Sequence, residues 1–270
     1  PLAFAFLVTF LGLRSAWLAC VSLLLLLGLP LAYRSFRVPR LPLPAEQPDR
    51  GDREPPPARQ WTRGEVLRDR LFWLLLLGVL APPFVGTTIF YHQDHLTVLR
   101  GWSPTHYAAS LSLMAMTTVV FALIGGTLID RFRARVLLPV FLLPLAGACF
   151  VLSIDGPPWL LFLVMILLGV AYGLSSTLFG ALWPEIYGTL HLGAIRSVTV
   201  AAMVVATAAG PGITATLIDL GTPVPQQMVW IGGYCLVAAA AMALVSRRLQ
   251  VAEAGRRAGG QGLEAADRPR

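Results

Sequence analysis

The residues with the clearest capacity for chemistry lie in one short stretch, residues 91–95. His92 and His95 are three positions apart and so share one face of a helix, with Asp94 beside them. This spacing permits a metal site, but a zinc site needs three or four ligands and no further ligand cluster is visible, so we expect neither a metal nor another cofactor. A proton or an anion is the better match for His92 or Asp94, because histidine changes its charge near neutral pH.

Hydroxyl side chains within apolar stretches are the next candidates, and they could line a path for a small solute. They are Thr87, Thr88, Tyr91, Tyr172 and Ser176. Tyr172 lies between Gly169 and Gly173, small residues four apart that allow two helices to approach closely. A buried tyrosine hydroxyl needs a hydrogen-bond partner. Either Tyr172 faces the path or a neighbouring helix satisfies it, and the sequence leaves both readings open.

The elements that must position these residues are hydrophobic helices. Of the 270 residues, 56% are hydrophobic and only 13% are charged, whereas a soluble domain is about a quarter charged. A helix needs about 20 mostly apolar residues to cross a bilayer, and seven stretches meet that length. They are residues 14–35, 71–95, 105–128, 136–153, 158–183, 195–218 and 226–246. The sequence therefore predicts an all-α protein that spans a lipid bilayer several times.

The charges indicate how the chain is oriented. All 21 basic residues are arginine, and the formal net charge is +7. Nineteen of them fall in alternate connecting segments and the C-terminal tail, and only Arg14 and Arg100 fall in the others. This distribution is the positive-inside pattern with the C-terminus in the cytoplasm, so it does not indicate a nucleic-acid partner. Cys20, Cys149 and Cys235 lie inside apolar stretches and are interpreted as packing residues.

Composition also divides the chain into segments. Residues 37–70 contain seven prolines and many charges, which predicts a flexible cytoplasmic linker. Residues 71–246 form one six-span unit, and 247–270 are predicted to be a disordered cytoplasmic tail. Residues 1–36 would belong to a preceding bundle, in which 1–11 are too short to span a bilayer and are interpreted as the end of an earlier helix.

The most specific local pattern occupies residues 126–135, directly after the third full span. It begins with Gly126, four positions before Asp130, and three arginines follow: Arg131, Arg133 and Arg135. An acid at a helix end can face the positive N-terminus of a neighbouring helix, at about 0.3–1 kcal/mol per contact. Such a contact is easily broken and remade, which suits a latch that closes the cytoplasmic side. The alternative is that these arginines only set the topology and the acid is incidental.

A second cytoplasmic loop carries Glu185 and Arg196, which have opposite charge and bracket a turn. They can pair with each other, or each can pair with the loop around Asp130. The alternative is a solvated loop without either pairing.

Two spans contain residues that disturb helices. Pro82 and Pro83 lie near the middle of the second span, and Gly210 and Pro211 lie just past the middle of the sixth. A proline removes a backbone hydrogen bond and kinks the helix, which lipid tolerates where neighbours or water satisfy the freed carbonyl. The sequence therefore predicts kinks that line a cavity or a moving seam, with a static kink as the alternative.

These motifs and the order of spans resemble the Major Facilitator Superfamily of twelve-helix transporters. Residues 126–135 look like the family's loop motif, although Arg133 stands where a second glycine is usual and Ala134 where a base is usual. Gly210 and Pro211 match the Gly-Pro core of another family motif. The resemblance implies that residues 1–11 are the end of the family's fifth helix and that the first full span, residues 14–35, is its sixth helix. The six-span unit would then hold the seventh to the twelfth helices.

The resemblance also implies an activity, namely secondary active transport of a small solute by two six-helix halves that rock around a central site. We expect an organic anion as the solute, a proton as the coupling ion and a bacterial inner, or plasma, membrane as the location. The acceptor for the Asp130 latch would lie on the fifth helix, among N-terminal helices of the same transporter that are missing here. Other readings are a polytopic membrane enzyme and a sensor or assembly subunit with the transporter fold.

The distance along the helix limits the role of His92. Twenty-one residues from Leu71, at about 1.5 Å each, place His92 roughly 31 Å along the span, at the outer edge of the membrane. A role at the outer interface is therefore favoured for it.

Overall fold

The computed structural model describes residues 2–37 and 60–266, with side chains described over 7–10, 12–34 and 60–250. The chain divides into two compact units, residues 1–58 and 59–270. All regular structure in the described part is helical. Seven of its helices are long and apolar enough to cross a membrane. The all-α membrane fold predicted from seven apolar stretches is confirmed.

The first unit contains α1, Leu2–Arg37. Its helical backbone is interrupted at Gly12, where φ is 77° and ψ is 160°. Only glycine adopts that conformation without strain, so the chain changes direction there. Beyond this point, residues Gly12–Arg34 form a candidate membrane span. The larger part of the predicted linker, residues 38–59, lies outside the described residues.

The second unit carries the remaining helices. In chain order they are α2 Arg63–Arg68, α3 Arg70–Tyr91, α4 Gln93–Arg100, α5 Pro104–Phe132, α6 Ala134–Leu137, α7 Leu142–Ser153, α8 Leu160–Tyr187, α9 Leu192–Asp219 and α10 Val224–Ala266. The closest-packed pairs are α5 with α8, α7 with α10, α3 with α9, and α7 with α8.

Close helix packing depends on small residues, because between helices in lipid the driving force is van der Waals contact rather than removal of apolar surface from water. A Cβ atom on Gly169 would lie 2.7 Å from the Met114 carbonyl oxygen of α5. A Cβ on Gly173 would lie 2.6 Å from the Thr118 carbonyl oxygen and 2.8 Å from the Ala122 amide nitrogen. The backbones of α5 and α8 therefore touch along this seam, as the spacing of the two glycines predicts.

Two segments for which composition predicts flexibility contain helix: the last part of the linker and the C-terminal tail. Within residues 60–70, α2 begins with a capping box in which Thr62 accepts from the Glu65 amide and Glu65 accepts from the Thr62 amide. Asp69 then caps α3 by accepting a hydrogen bond from the Leu71 amide. At the other end, α10 continues as helix to Ala266 instead of ending before the predicted disordered tail. The alanine, glutamate, glutamine and arginine of that tail are good helix formers.

Candidate functional site

The C-terminal half of α3 carries hydroxyls that bond within their own helix. Thr87 donates to the Pro83 carbonyl at 2.6 Å, and Thr88 donates to the Phe84 carbonyl at 2.8 Å. The helix runs through Pro82 and Pro83 without a break. The side chain hydroxyls of Thr87 and Thr88 are therefore already satisfied.

The middle of α9 covers Thr88. A Cβ on Gly210 would lie 2.6 Å from both the Phe84 carbonyl oxygen and the Thr88 hydroxyl oxygen. Gly210 thus allows the backbones of α3 and α9 to meet, and α9 continues through Pro211 as a single helix. Thr88 is 1% exposed, so it packs in this crossing and does not line an open path.

Tyr172 connects α8 to α3. Its hydroxyl donates to the Pro82 carbonyl oxygen at 3.1 Å. A Cβ on Gly86 would overlap that hydroxyl, so glycine leaves the space that the phenol occupies. Of the two readings left open by the sequence, the geometry supports the one in which a neighbouring helix satisfies Tyr172.

His92 occupies the junction between α3 and α4, and it is 8% exposed. Its Nδ1 lies 2.9 Å from the Thr88 carbonyl oxygen. Its ring contacts that of Tyr91 at 5.3 Å between centroids, and Tyr91 itself is largely exposed. Asp94 and His95 are exposed, and no group of three metal-ligating side chains occurs in the described part of the chain.

The candidates on α8 and α3 do not gather around one point. Phe72 at the start of α3 contacts Trp183 and Tyr187 at the end of α8, so the two helices are antiparallel. Ser176, one turn after Tyr172, therefore lies toward the start of α3, whereas Thr87, Tyr91 and His92 lie toward its end. Ser176 is exposed and donates to the Gly173 carbonyl oxygen at 2.8 Å.

The end of the bundle at which α8 terminates contains an ion pair between α8 and α6. The Oε1 atom of Glu185 lies 3.0 Å from Nε of Arg135, and its Oε2 accepts a hydrogen bond of 2.8 Å from the Ala134 amide. The side chains of Arg135 and Glu185 are 11% and 23% exposed. Glu185 thus pairs with the segment that follows α5. Arg196 is exposed and forms no ion pair with any described residue. Asp130 is also exposed and has no hydrogen bond or ion pair within the described structure.

Arg133 has an unusual backbone at the junction of α5 and α6. Its φ is 72° and its ψ is 156°, a region occupied almost only by glycine. The sequence already showed that Arg133 is unusual, because the loop motif normally has glycine at this position. The next residue is Ala134, whose amide donates to Glu185.

This strain gives a direct prediction for Arg133→Gly. Because glycine adopts the conformation freely, relief of strain outweighs its backbone entropy, and we expect stability to rise by about 1 kcal/mol. Thermal unfolding of the purified protein in detergent would measure the change. Arg131→Gly is the matched control: Arg131 has helical backbone in the last turn of α5, so that variant should lose about 0.5–1 kcal/mol. A melting temperature lowered equally by both substitutions would contradict the strain at Arg133.

Two further contacts were not predicted. At the end of α8, Tyr187 donates to Asp69 at 3.0 Å, and its carbonyl oxygen accepts from the Trp61 amide at 3.1 Å, so residues 60–70 are held against this helix end. At the opposite end, Arg100 forms an ion pair with Asp155 and donates to the Leu152 carbonyl at 2.7 Å. Desolvation by burial lowers the pKa of the Arg100 guanidinium. Both contacts had a signal in the sequence. Asp69 precedes an apolar run, as an N-cap residue does. Arg100 is one of only two arginines that lie outside the arginine-rich segments.

A bundle of long apolar helices, with the Arg135–Glu185 and Arg100–Asp155 ion pairs at its two ends, defines a polytopic α-helical membrane protein. The model of the Major Facilitator Superfamily matches residues 1–211 and 87–268. The chain belongs to the Major Facilitator Superfamily, a family of membrane transporters. A comparison with curated proteins finds no match.

Proposed function

We propose that this chain is part of a secondary active transporter that moves a small organic anion across the plasma membrane by alternating access, with a proton as the coupling ion. Family membership and the seven candidate spans support a transporter. In this proposal α3 to α10 form the C-terminal half, their C-terminus is cytoplasmic, and helices that precede them complete the central site. The fold moves solute and carries out no enzymatic step.

The observation that carries the proposal is that the Asp130 side chain is exposed. Glu185 already binds Arg135 and the Ala134 amide, so the segment after α5 is held in place without Asp130. The Asp130 carboxylate is left exposed at the end of α5. An exposed acid at the end of a fixed helix can bind the positive N-terminus of a helix from the other half, and release it when the cytoplasmic side opens.

The path candidates divide into two groups on this view. Tyr91 and Ser176 are exposed and Thr87 is half-buried, so they can face the solute. Thr88 is buried where α3 meets α9, and Tyr172 bonds from α8 to the Pro82 carbonyl oxygen of α3, so both hold helices together. We therefore assign solute contact to the first group and the positioning of α3 to the second.

Uptake measurements test the proposal. Proteoliposomes containing the intact transporter should take up radiolabelled small organic anions faster when an inward pH gradient is imposed. Asp130→Asn keeps the size of the side chain and removes its charge, so we expect the uptake rate to fall several-fold. The matched control is Asp219→Asn, an exposed acid at the far end of α9, which should leave the rate unchanged. Absence of gradient-driven uptake would overturn the transport proposal, whereas uptake indifferent to Asp130→Asn would overturn the latch alone.

A further inference from the structure

Two cysteines face each other between α7 and α10. Cys149 and Cys235 are both 0% exposed, and the two side chains are near enough to interact. Their helices form one of the closest-packed pairs of the bundle. The two thiols therefore share one site inside the membrane-spanning part of the protein.

The packing around the pair supports this placement independently. A Cβ atom on Gly232 would lie 3.0 Å from the ring of Phe150. Phe150 follows Cys149, and Cys235 lies three residues after Gly232, on the same face of its helix. The helices therefore cross close to the level of the two cysteines, and a disulfide requires such a close approach.

Burial decides which reagents can reach the thiols. Neither side chain is exposed to water or to the headgroup region, so a charged, water-soluble oxidant has no route to them. A small apolar oxidant dissolved in the bilayer reaches the crossing when the helices fluctuate. The third cysteine, Cys20, lies in α1 of the other unit and provides an internal reference.

We propose that Cys149 and Cys235 form a redox-sensitive dithiol that lipid-soluble two-electron oxidants, such as quinones, convert to a disulfide between α7 and α10. In this step both S–H bonds break and one S–S bond forms. The two electrons and two protons pass to the quinone, which becomes a quinol. The product ties together two helices that are far apart in sequence, and such a link restricts the unfolded chain.

Oxidation of the whole protein in lipid vesicles tests the proposal. Vesicles are treated with duroquinone or with molecular iodine, which accepts the same electrons and protons as hydrogen iodide. The protein is then denatured, its remaining thiols are alkylated, and peptides are mapped by mass spectrometry. We expect loss of two of the three alkylatable thiols, a peptide pair joined through Cys149 and Cys235, and a higher melting temperature that a lipid-soluble phosphine reverses.

Variants locate the bond, while peptide mapping of the unmodified chain keeps the test valid if a variant folds poorly. Cys20→Ser should still form the bond, and Cys149→Ser and Cys235→Ser should not. A lipid-anchored dithiol in the same vesicles shows that the oxidant is active. Three thiols that remain alkylatable while this reference is oxidised would overturn the proposal, as would a disulfide that includes Cys20 or oxidation to separate sulfenic acids.

Discussion

Gly173→Leu is expected to abolish the packing of α8 on α5 and with it the folded six-helix unit. The added side chain would have to displace the Thr118 carbonyl, the Ala122 amide and the Phe121 Cβ, all within 2.8 Å of the new Cβ. These are backbone and near-backbone atoms that cannot rotate away. Overpacking in a core costs about 1–3 kcal/mol when side chains can adjust, and here they cannot, so we expect a larger loss.

Fluorescence-detected size-exclusion chromatography would measure this loss as the fraction of protein that remains monodisperse after extraction in detergent. Gly233→Leu is the matched control, because it makes the same substitution within a helix and no atom lies within 4 Å of the new Cβ. That variant should remain close to wild type. Equal monodisperse fractions for the two variants would show that the contact between α5 and α8 is not as tight as these distances require.

The spans could be predicted from sequence because they depend on one local property. A window of about 20 apolar residues with its charges at the ends identifies a membrane helix without reference to its neighbours. The seam at Gly169 and Gly173 was also visible, because small residues four apart have few other uses in lipid. The capping box of Thr62 and Glu65 was equally local, but the proline-rich composition of the preceding residues outweighed it.

The side-chain partners could not be predicted, because each depends on tertiary contacts. A threonine in a helix can bond to its own backbone or to a solute, and only the crossing at Gly210 shows that Thr88 is enclosed. In the same way, Glu185 had several arginines available. The position of α6 selects Arg135, since it places a backbone amide and a guanidinium beside the same carboxylate.

This double contact makes Glu185→Ala the second large expected effect. Its removal leaves the Ala134 amide without its acceptor and takes the carboxylate away from Arg135, which is only 11% exposed and keeps a hydrogen bond to the Leu249 carbonyl oxygen. Loss of one partner of a fully buried pair costs about 3–5 kcal/mol, and partial access to water lowers this to about 2 kcal/mol. Thermal unfolding would measure the total, and hydrogen exchange would show faster exchange at the Ala134 amide. Asp219→Ala removes an exposed acid at the end of α9 and should change neither measurement.

A graded series distinguishes the charge of Glu185 from its hydrogen bond. Glu185→Gln keeps an acceptor for the Ala134 amide and loses the charge, so its stability should lie between those of wild type and Glu185→Ala. Exchange of the two side chains, Glu185→Arg with Arg135→Glu, restores opposite charges but leaves arginine facing the amide, and arginine has no acceptor. The exchanged pair should therefore remain less stable than wild type by about 1 kcal/mol or more, the cost of a buried amide without a partner. Full recovery in the exchanged protein would mean that charge alone connects the loop after α5 to the end of α8.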